Sequence, residues 1–214
     1  MQVTDKPLRG IVADTYPERA GVCAHVRIVR GELRVGETVA LMPVGEIATV
    51  NRISIPSINV INAISDAKRV VAVPGDYVEV YLPGVDAARI ARGFVMCHSR
   101  DELRVTVSRK FRAKIIVMDD IGTPIIKGTE LCMHMQAMEC PVVLFKLLQT
   151  FKGKGEVDQI KPRLLGSGCT AEVKIVTKRG LCLEPFKECR GLGRFVLRRG
   201  AQTVAMGVIE ELLS

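Results

Sequence analysis

From Phe195 onward, apolar residues recur at every second position: Phe195 and Leu197, then, past an Arg199-Gly200 turn, Val204, Met206 and Val208. A period of two on both sides of a glycine-bearing bend predicts a β-hairpin with these five residues facing a core. Its other face carries Arg194, Val196 and Arg198, then Thr203, Ala205 and Gly207. That face is basic near the turn and is the first place to look for a partner. A terminal hairpin of this kind also needs a sheet to close onto.

The same period runs through most of the chain. It predicts strands over Pro7–Tyr16, Val22–Val29, Thr38–Met42, Ile47–Ile55, Tyr77–Leu82 and Phe94–His98. The run from Ser54 to Val73, with Pro56, Ser57 and Asn59, reads as a wandering loop and a strand. Only Val85–Ala91 has a helical pattern, one or two turns long. The polar stretch Ser99–Glu102 suits a linker, which divides the chain into domains 1–101 and 102–214. Beyond it, Phe111, Ala113, Ile115 and Val117 face one way along a strand to Met118. Leu131–Ala137 and Val142–Gln149 pair around Cys140-Pro141. Thr170–Val176 is followed by a turn at Lys178-Arg179-Gly180 and by Leu181–Leu183, which leads through Pro185-Phe186 into the closing hairpin. Short strands separated by Gly and Pro turns predict an all-β fold of two consecutive antiparallel β-barrels.

Composition narrows the function classes. No apolar run approaches the roughly 18 residues that a membrane helix needs, and the start lacks a secretory apolar segment, so a cytoplasmic protein is expected, with no membrane partner. Seven cysteines without paired spacing are expected to be reduced rather than cross-linked. The net charge of +8 is uneven: residues 1–100 hold 12 Lys+Arg and 10 Asp+Glu, leaving 19 and 13 for the rest of the totals of 31 and 23. A basic second half favours polyanions or acidic protein surfaces. With aromatics at 4% and no Trp, backbone or shape recognition of nucleic acid is better supported than base stacking.

Candidate chemistry is sparse. Cys132, His134 and Cys140 lie close together, with Cys132 and His134 on one strand face, and Cys97-His98 lies upstream; without a Cys-x-x-Cys pair they read as reduced, mostly buried residues and not as a metal site. No residue marks an orienting partner or an oxyanion site for a Cys-His nucleophile, so no catalytic residues are assigned. Lys152-Gly-Lys-Gly155 reads as a solvated hairpin tip, because no helix N-terminus follows to bind phosphate.

Arg27, Gly31, Leu33 and Gly36 fall in register with a Gly-Arg-Val-Glu-x-Gly-x-Leu-x-x-Gly signature, and the chain resembles domains 2 and 3 of elongation-factor-type translational GTPases. Pro74-Gly-Asp76 and Ala91-Arg-Gly93 resemble that family's late domain-2 motifs. Leu192-Gly-Arg-Phe195 with Gln202–Ile209 resembles its closing domain-3 hairpin. The ending is most similar to the Hbs branch, sister of the eukaryotic class II release factor. Val29 and Val35 stand where elongation factor 1-alpha usually has Glu and Pro; that factor, which delivers aminoacyl-tRNA, is a further alternative branch beside the class II release factor.

The resemblance implies a non-catalytic piece whose GTPase domain lies in cis, since no Gly-x-x-x-x-Gly-Lys-Ser/Thr loop and no Asn-Lys-x-Asp motif is present. GTP and magnesium are then expected on that N-terminal domain, and no cofactor here. The implied partners are Pelota, or the class I release factor for the sister branch, and small-subunit ribosomal RNA. The implied process is rescue of stalled ribosomes and no-go decay. Leu192, Arg194, Phe195 and Arg198 are the candidate partner-binding residues, although a strand Phe at barrel spacing more often faces the core. Arg27, Arg30 and Arg34 are the candidates for ribosome contact, with a solvated head on a packed stem as the plainer reading of Arg27. The alternative of another class is a stand-alone basic RNA-binding barrel protein.

Overall fold

The computed structural model describes residues 6–55, 70–152 and 155–213. The chain divides into two compact units, Met1–Val105 and Thr106–Ser214. The division lies beyond residues 101 and 102 because the polar stretch proposed as a linker is folded into the first unit. Asp101–Leu103 forms a 3-10 turn. Arg104 donates to the Ser99 carbonyl through Nε and Nη2, and Arg9 Nη1 donates to the Leu103 carbonyl at 2.7 Å.

In the first unit the strands are β1 (Arg9–Glu18), β2 (Gly21–Arg30), β3 (Leu33–Arg34), β4 (Thr38–Met42), β5 (Glu46–Thr49), β6 (Arg52–Ser54), β7 (Val71–Ala72), β8 (Tyr77–Pro83) and β9 (Val95–His98). The main sheet runs β5-β4-β9-β1-β2-β8-β6. Its two end strands are joined only by Val50 and Asn51, so the sheet curls until its edges meet. Val50 N–H donates to Glu37 on one side at 2.9 Å and Asn51 N–H to Tyr81 on the other at 3.0 Å. One bent strand thus closes the barrel, where the sequence pattern implied a single straight run from Ile47 to Ile55. Alternation along β2 and β8 sends Val22, Ala24, Val26, Ile28, Val78, Val80 and Leu82 into the core. The Val85–Ala91 segment shortens to one 3-10 turn, Ala87–Arg89, capped by Asp86. The loop reading of Ser54–Val73 falls mostly outside the described residues.

Two glycine motifs have direct physical causes here. Gly31 has φ 71°, and a Cβ there would lie 2.6 Å from the Leu8 backbone, so both the turn and the close chain approach require glycine. In Pro74-Gly75-Asp76, the Asp76 carboxylate accepts from Val73 N–H at 3.0 Å. The Gly75 N–H and the Asp76 carbonyl pair with the two backbone groups of Ile28, which pins the turn to β2.

The second unit contains β10 (Val107–Val117), β11 (Ile125–Ile126), β12 (Glu130–Met135), β13 (Met138–Lys152), β14 (Glu156–Ile160), β15 (Leu164–Leu165), β16 (Thr170–Cys182), the short helix α1 (Arg190–Gly193), β17 (Arg194–Arg199) and β18 (Gln202–Leu213). The order β12-β17-β18-β10-β16-β13 closes through β12–β13 pairing, and β14 is added along β13. Phe111, Ala113, Ile115 and Val117 all face the core, as their spacing predicts.

Three details of this barrel differ from the pattern-based reading. The β12–β13 turn is at Gln136-Ala137, not at Cys140-Pro141, and Gln136 takes a positive φ of 52° without being glycine. The Lys178-Arg179-Gly180 segment is a wide bulge inside β16, because the pairing jumps from Lys110↔Val176 to Ser108↔Leu181. The Thr177 hydroxyl closes that bulge onto the Arg179 carbonyl at 2.6 Å. Finally, β14 is exposed at all five positions and so has no alternation to detect. Gly153 and Lys154, the middle of the basic tip, lie outside the described residues.

Candidate partner-docking surface

The closing hairpin carries a shift that decides what its outer face presents. From the turn, Arg198 pairs with Thr203, but Leu197 pairs with Ala205, so Val204 is an extra residue. Val204 and Ala205 are both buried in succession, and the frame of β18 flips from there on. Gly207 and Ile209 now follow the inward face, while Met206 and Val208 turn outward. Gly207 is needed inside: a Cβ there would lie 2.7 Å from Ile115 Cγ2 and 3.0 Å from the Phe195 ring.

Cross-strand register then builds two outward rows on the second barrel. One is His134–Val196–Met206–Ile116–Thr170–Phe151, and the next is Arg194–Val208–Lys114–Glu172–Gln149. Met206 is 43% and Ile116 51% exposed, which leaves apolar surface uncovered at the middle of the first row. Lys114, Ile116, Thr170, Arg194 and Met206–Val208 line a shallow depression of about 230 Å³. The Lys114 ammonium lies 4.5 Å from the Phe151 ring centroid, close enough for a cation–π contact. Within the second row, the buried Glu172 accepts from Arg112 and from its neighbour Gln149, each at 2.7 Å, which holds that edge of the surface rigid. An apolar centre flanked by a Lys and an Arg is the composition of a protein-binding patch.

The four residues assigned to partner binding separate here. Arg194 is exposed and lines the depression. Leu192 and Phe195 are each 2% exposed and belong to the core, Leu192 through the short helix α1 and Phe195 through its edge-on contact with Phe111. Neither side chain is presented to solvent. Arg198 is half-buried, with Nη2 donating to the Ala201 carbonyl at 2.6 Å, so it braces the turn. Met206, Ile116 and Lys114 were not singled out from the sequence: Met206 is hidden by the bulge at Val204, while Lys114 and Ile116 are the outward positions that alternation along β10 implies.

On the first barrel, Arg27 is exposed at the Tyr77 end of the β2–β8 pair. Arg34 is exposed but paired with Glu32 at 2.7 Å. Arg30 does not present itself to solvent: a register shift sets it opposite Arg9, and it is buried with its Nε donating to the Pro7 carbonyl. Arg9 is buried in the same way, on backbone carbonyls of Leu8 and Leu103. Of the three arginines singled out, Arg27 and Arg34 thus present their side chains to solvent and Arg30 does not.

The outside of this barrel also holds a polar cluster. Arg52 Nη2 lies 2.9 Å from Glu18 and 3.4 Å from Glu79, and the buried Cys23 thiol donates to Glu18 at 2.7 Å. Burial and the Glu18 carboxylate push the Cys23 thiol up to about 12, so it is no nucleophile. Hydrogen bonds from Cys23 and Arg52 hold Glu18 below the usual carboxylate range. Burial alone would raise Glu79, but hydrogen bonds from Tyr16 and Arg52, with the Arg52 charge, bring it below that range as well. A depressed carboxylate stabilises the fold above its unfolded pKa and loses that contribution as pH falls through its folded value. Arg52→Gln is therefore expected to unfold at lower urea than the parent near pH 7. The gap should close only in stronger acid, once pH has fallen through the lowered folded values of both carboxylates. Urea midpoints at the two pH values measure this, and a gap that persists in acid would place the effect in packing instead.

Residues 110–210 match the family model described as GTP-eEF1A C-terminal domain-like. The second barrel is thus similar to the GTP-eEF1A C-terminal domain. Over 210 residues the chain is 30% identical to Protein HBS1 of Drosophila melanogaster, covering 97% of the chain and 30% of that protein. It is 33% identical to elongation factor 1-alpha of Sulfurisphaera tokodaii, covering 96% of the chain and 45% of that protein. Among solved structures, sup35 complexed with GDP shares the fold at a TM-score of 0.86 and 22% identity, over 99% of this chain and 48% of that one. The chain thus spans less than half the length of each of these relatives. The barrel similar to the GTP-eEF1A C-terminal domain is the one that carries the apolar row described above. Among the described residues, no helix is long and apolar enough to cross a membrane.

Proposed function

We propose that this chain is the C-terminal part of an Hbs-like translational GTPase that binds Pelota and the ribosome during rescue of stalled ribosomes and no-go decay in the cytoplasm. The observation that carries the reading is the Met206–Ile116 surface flanked by Lys114 and Arg194, on a chain 30% identical to HBS1 along almost its whole length. The second barrel docks the partner protein there. The first barrel leans on small-subunit ribosomal RNA through Arg27 and Arg34, whose charges attract phosphates without reading sequence. GTP and magnesium belong to a nucleotide-binding domain in cis, outside this chain.

Calorimetric titration against Pelota, with the class I release factor in parallel, tests the reading. Pelota is expected to bind more tightly, and Arg194→Ala to weaken it about tenfold. Preference for the release factor would move the chain to the sister branch. Binding to neither, with an affinity for RNA that falls steeply as salt rises, would make it a basic RNA-binding protein.

A further inference from the structure

The turn at Gln136-Ala137 creates a juxtaposition that the sequence spacing hides. Cys132 and His134 stand two apart on β12 and share its outward face, and the turn makes Glu139 the cross-strand partner of His134. Cys140, one residue further on, points into the core. Cys132 Sγ lies 3.3 Å and His134 Nε2 3.9 Å from Glu139 Oε1, and all the ligand atoms of the three residues fall within 4.8 Å of one another. Around a tetrahedral ion with bonds of about 2.0–2.3 Å, neighbouring ligand atoms stand roughly 3.3–3.8 Å apart. The hairpin meets that spacing with small side-chain adjustments.

The donor set selects the ion. One sulfur, one imidazole nitrogen and one carboxylate oxygen suit a borderline, tetrahedral cation, whereas calcium and magnesium take oxygen alone. We infer that the β12–β13 hairpin binds one zinc-class divalent cation through Cys132 Sγ, His134 Nε2 and the Glu139 carboxylate, with water completing the coordination. On binding, the Cys132 thiol gives its proton to solvent, and Glu139 exchanges a thiol hydrogen bond for the metal.

The surroundings support this. β12 is held by ladders on both sides, to β13 and to β17, so its two ligands are fixed before the ion arrives. The two nearby arginines are tied to backbone: Arg179 donates to the Glu139 carbonyl at 2.9 Å and Arg198 to the Ala201 carbonyl. The other comparable group among the described residues, Glu18, Cys23 and Glu79, already has the Arg52 guanidinium in place of an ion. His134 also ends the row that contains Val196 and Met206, so occupancy would fix the rim of the docking surface.

Titrating the whole chain with Co2+ tests the site, because a thiolate-to-cobalt charge-transfer band reports a Cys ligand directly. One Co2+ per chain is expected, displaced by Zn2+, with the band lost in Cys132→Ser. Affinity should fall at least about tenfold in both His134→Ala and Glu139→Gln. Circular dichroism of each variant establishes that it is folded. No band in the folded parent at millimolar Co2+, a band that survives Cys132→Ser, or an affinity indifferent to His134→Ala and Glu139→Gln would each overturn the assignment.

Discussion

Phe195→Ala is expected to destabilise the second unit by about 3–5 kcal/mol, enough to remove much of the stability of a domain this size. The ring is 2% exposed and meets Phe111 edge-on, with centroids 5.9 Å apart and planes at 76°. Such pairs add about 0.5–1.5 kcal/mol to the burial itself. The space on the far side of the ring exists because residue 207 has no side chain, so nothing there can relax to fill the hole. Hydrogen exchange resolved by residue measures the effect: amides of β17 and β18 should exchange far faster, while those of β1 and β2 keep their protection. A loss below about 1 kcal/mol would mean that the barrel collapses around the cavity.

Burial of Phe195 also explains how much of this surface was legible in the sequence. Where the strand itself gains no residue, as along Phe111–Val117 or Val22–Ile28, alternation assigns its inward residues correctly, because each side chain has only two directions to take. The failures sit where one strand gains a residue. Val204 reverses the frame of β18, so Met206 and Val208 are outside despite sharing a period with Phe195. Beside the shift at Gly10, Arg9 and Arg30 are buried against carbonyls, something no pattern of charge reveals. Gln136 adopts a positive φ that turn chemistry assigns to Gly or Asn, so Cys140 took the place of Glu139 in the sequence reading. Strand β14 buries no face and leaves no period at all. Bulges depend on what stands opposite, information carried by a partner strand far away in the chain.

Met206→Asp is expected to leave the thermal midpoint of the chain within about a degree of the parent and to weaken Pelota binding about a hundredfold, close to 2.7 kcal/mol. The side chain is 43% exposed and points away from the core, so the folded state loses little when it is replaced. In a complex the same position lies at the centre of the apolar row between Val196 and Ile116, where a carboxylate must shed water without a partner of its own. Lys114 and Arg194 line the same depression and offset part of that cost, which is why Arg194→Ala alone is given the smaller, tenfold effect. Calorimetry and thermal unfolding on the same preparation separate this outcome from that of Phe195→Ala, which loses binding only by losing the fold. Pelota affinity unchanged in a folded Met206→Asp chain would put the partner on another face of the barrel and leave the Hbs-like reading to the titration of the parent chain.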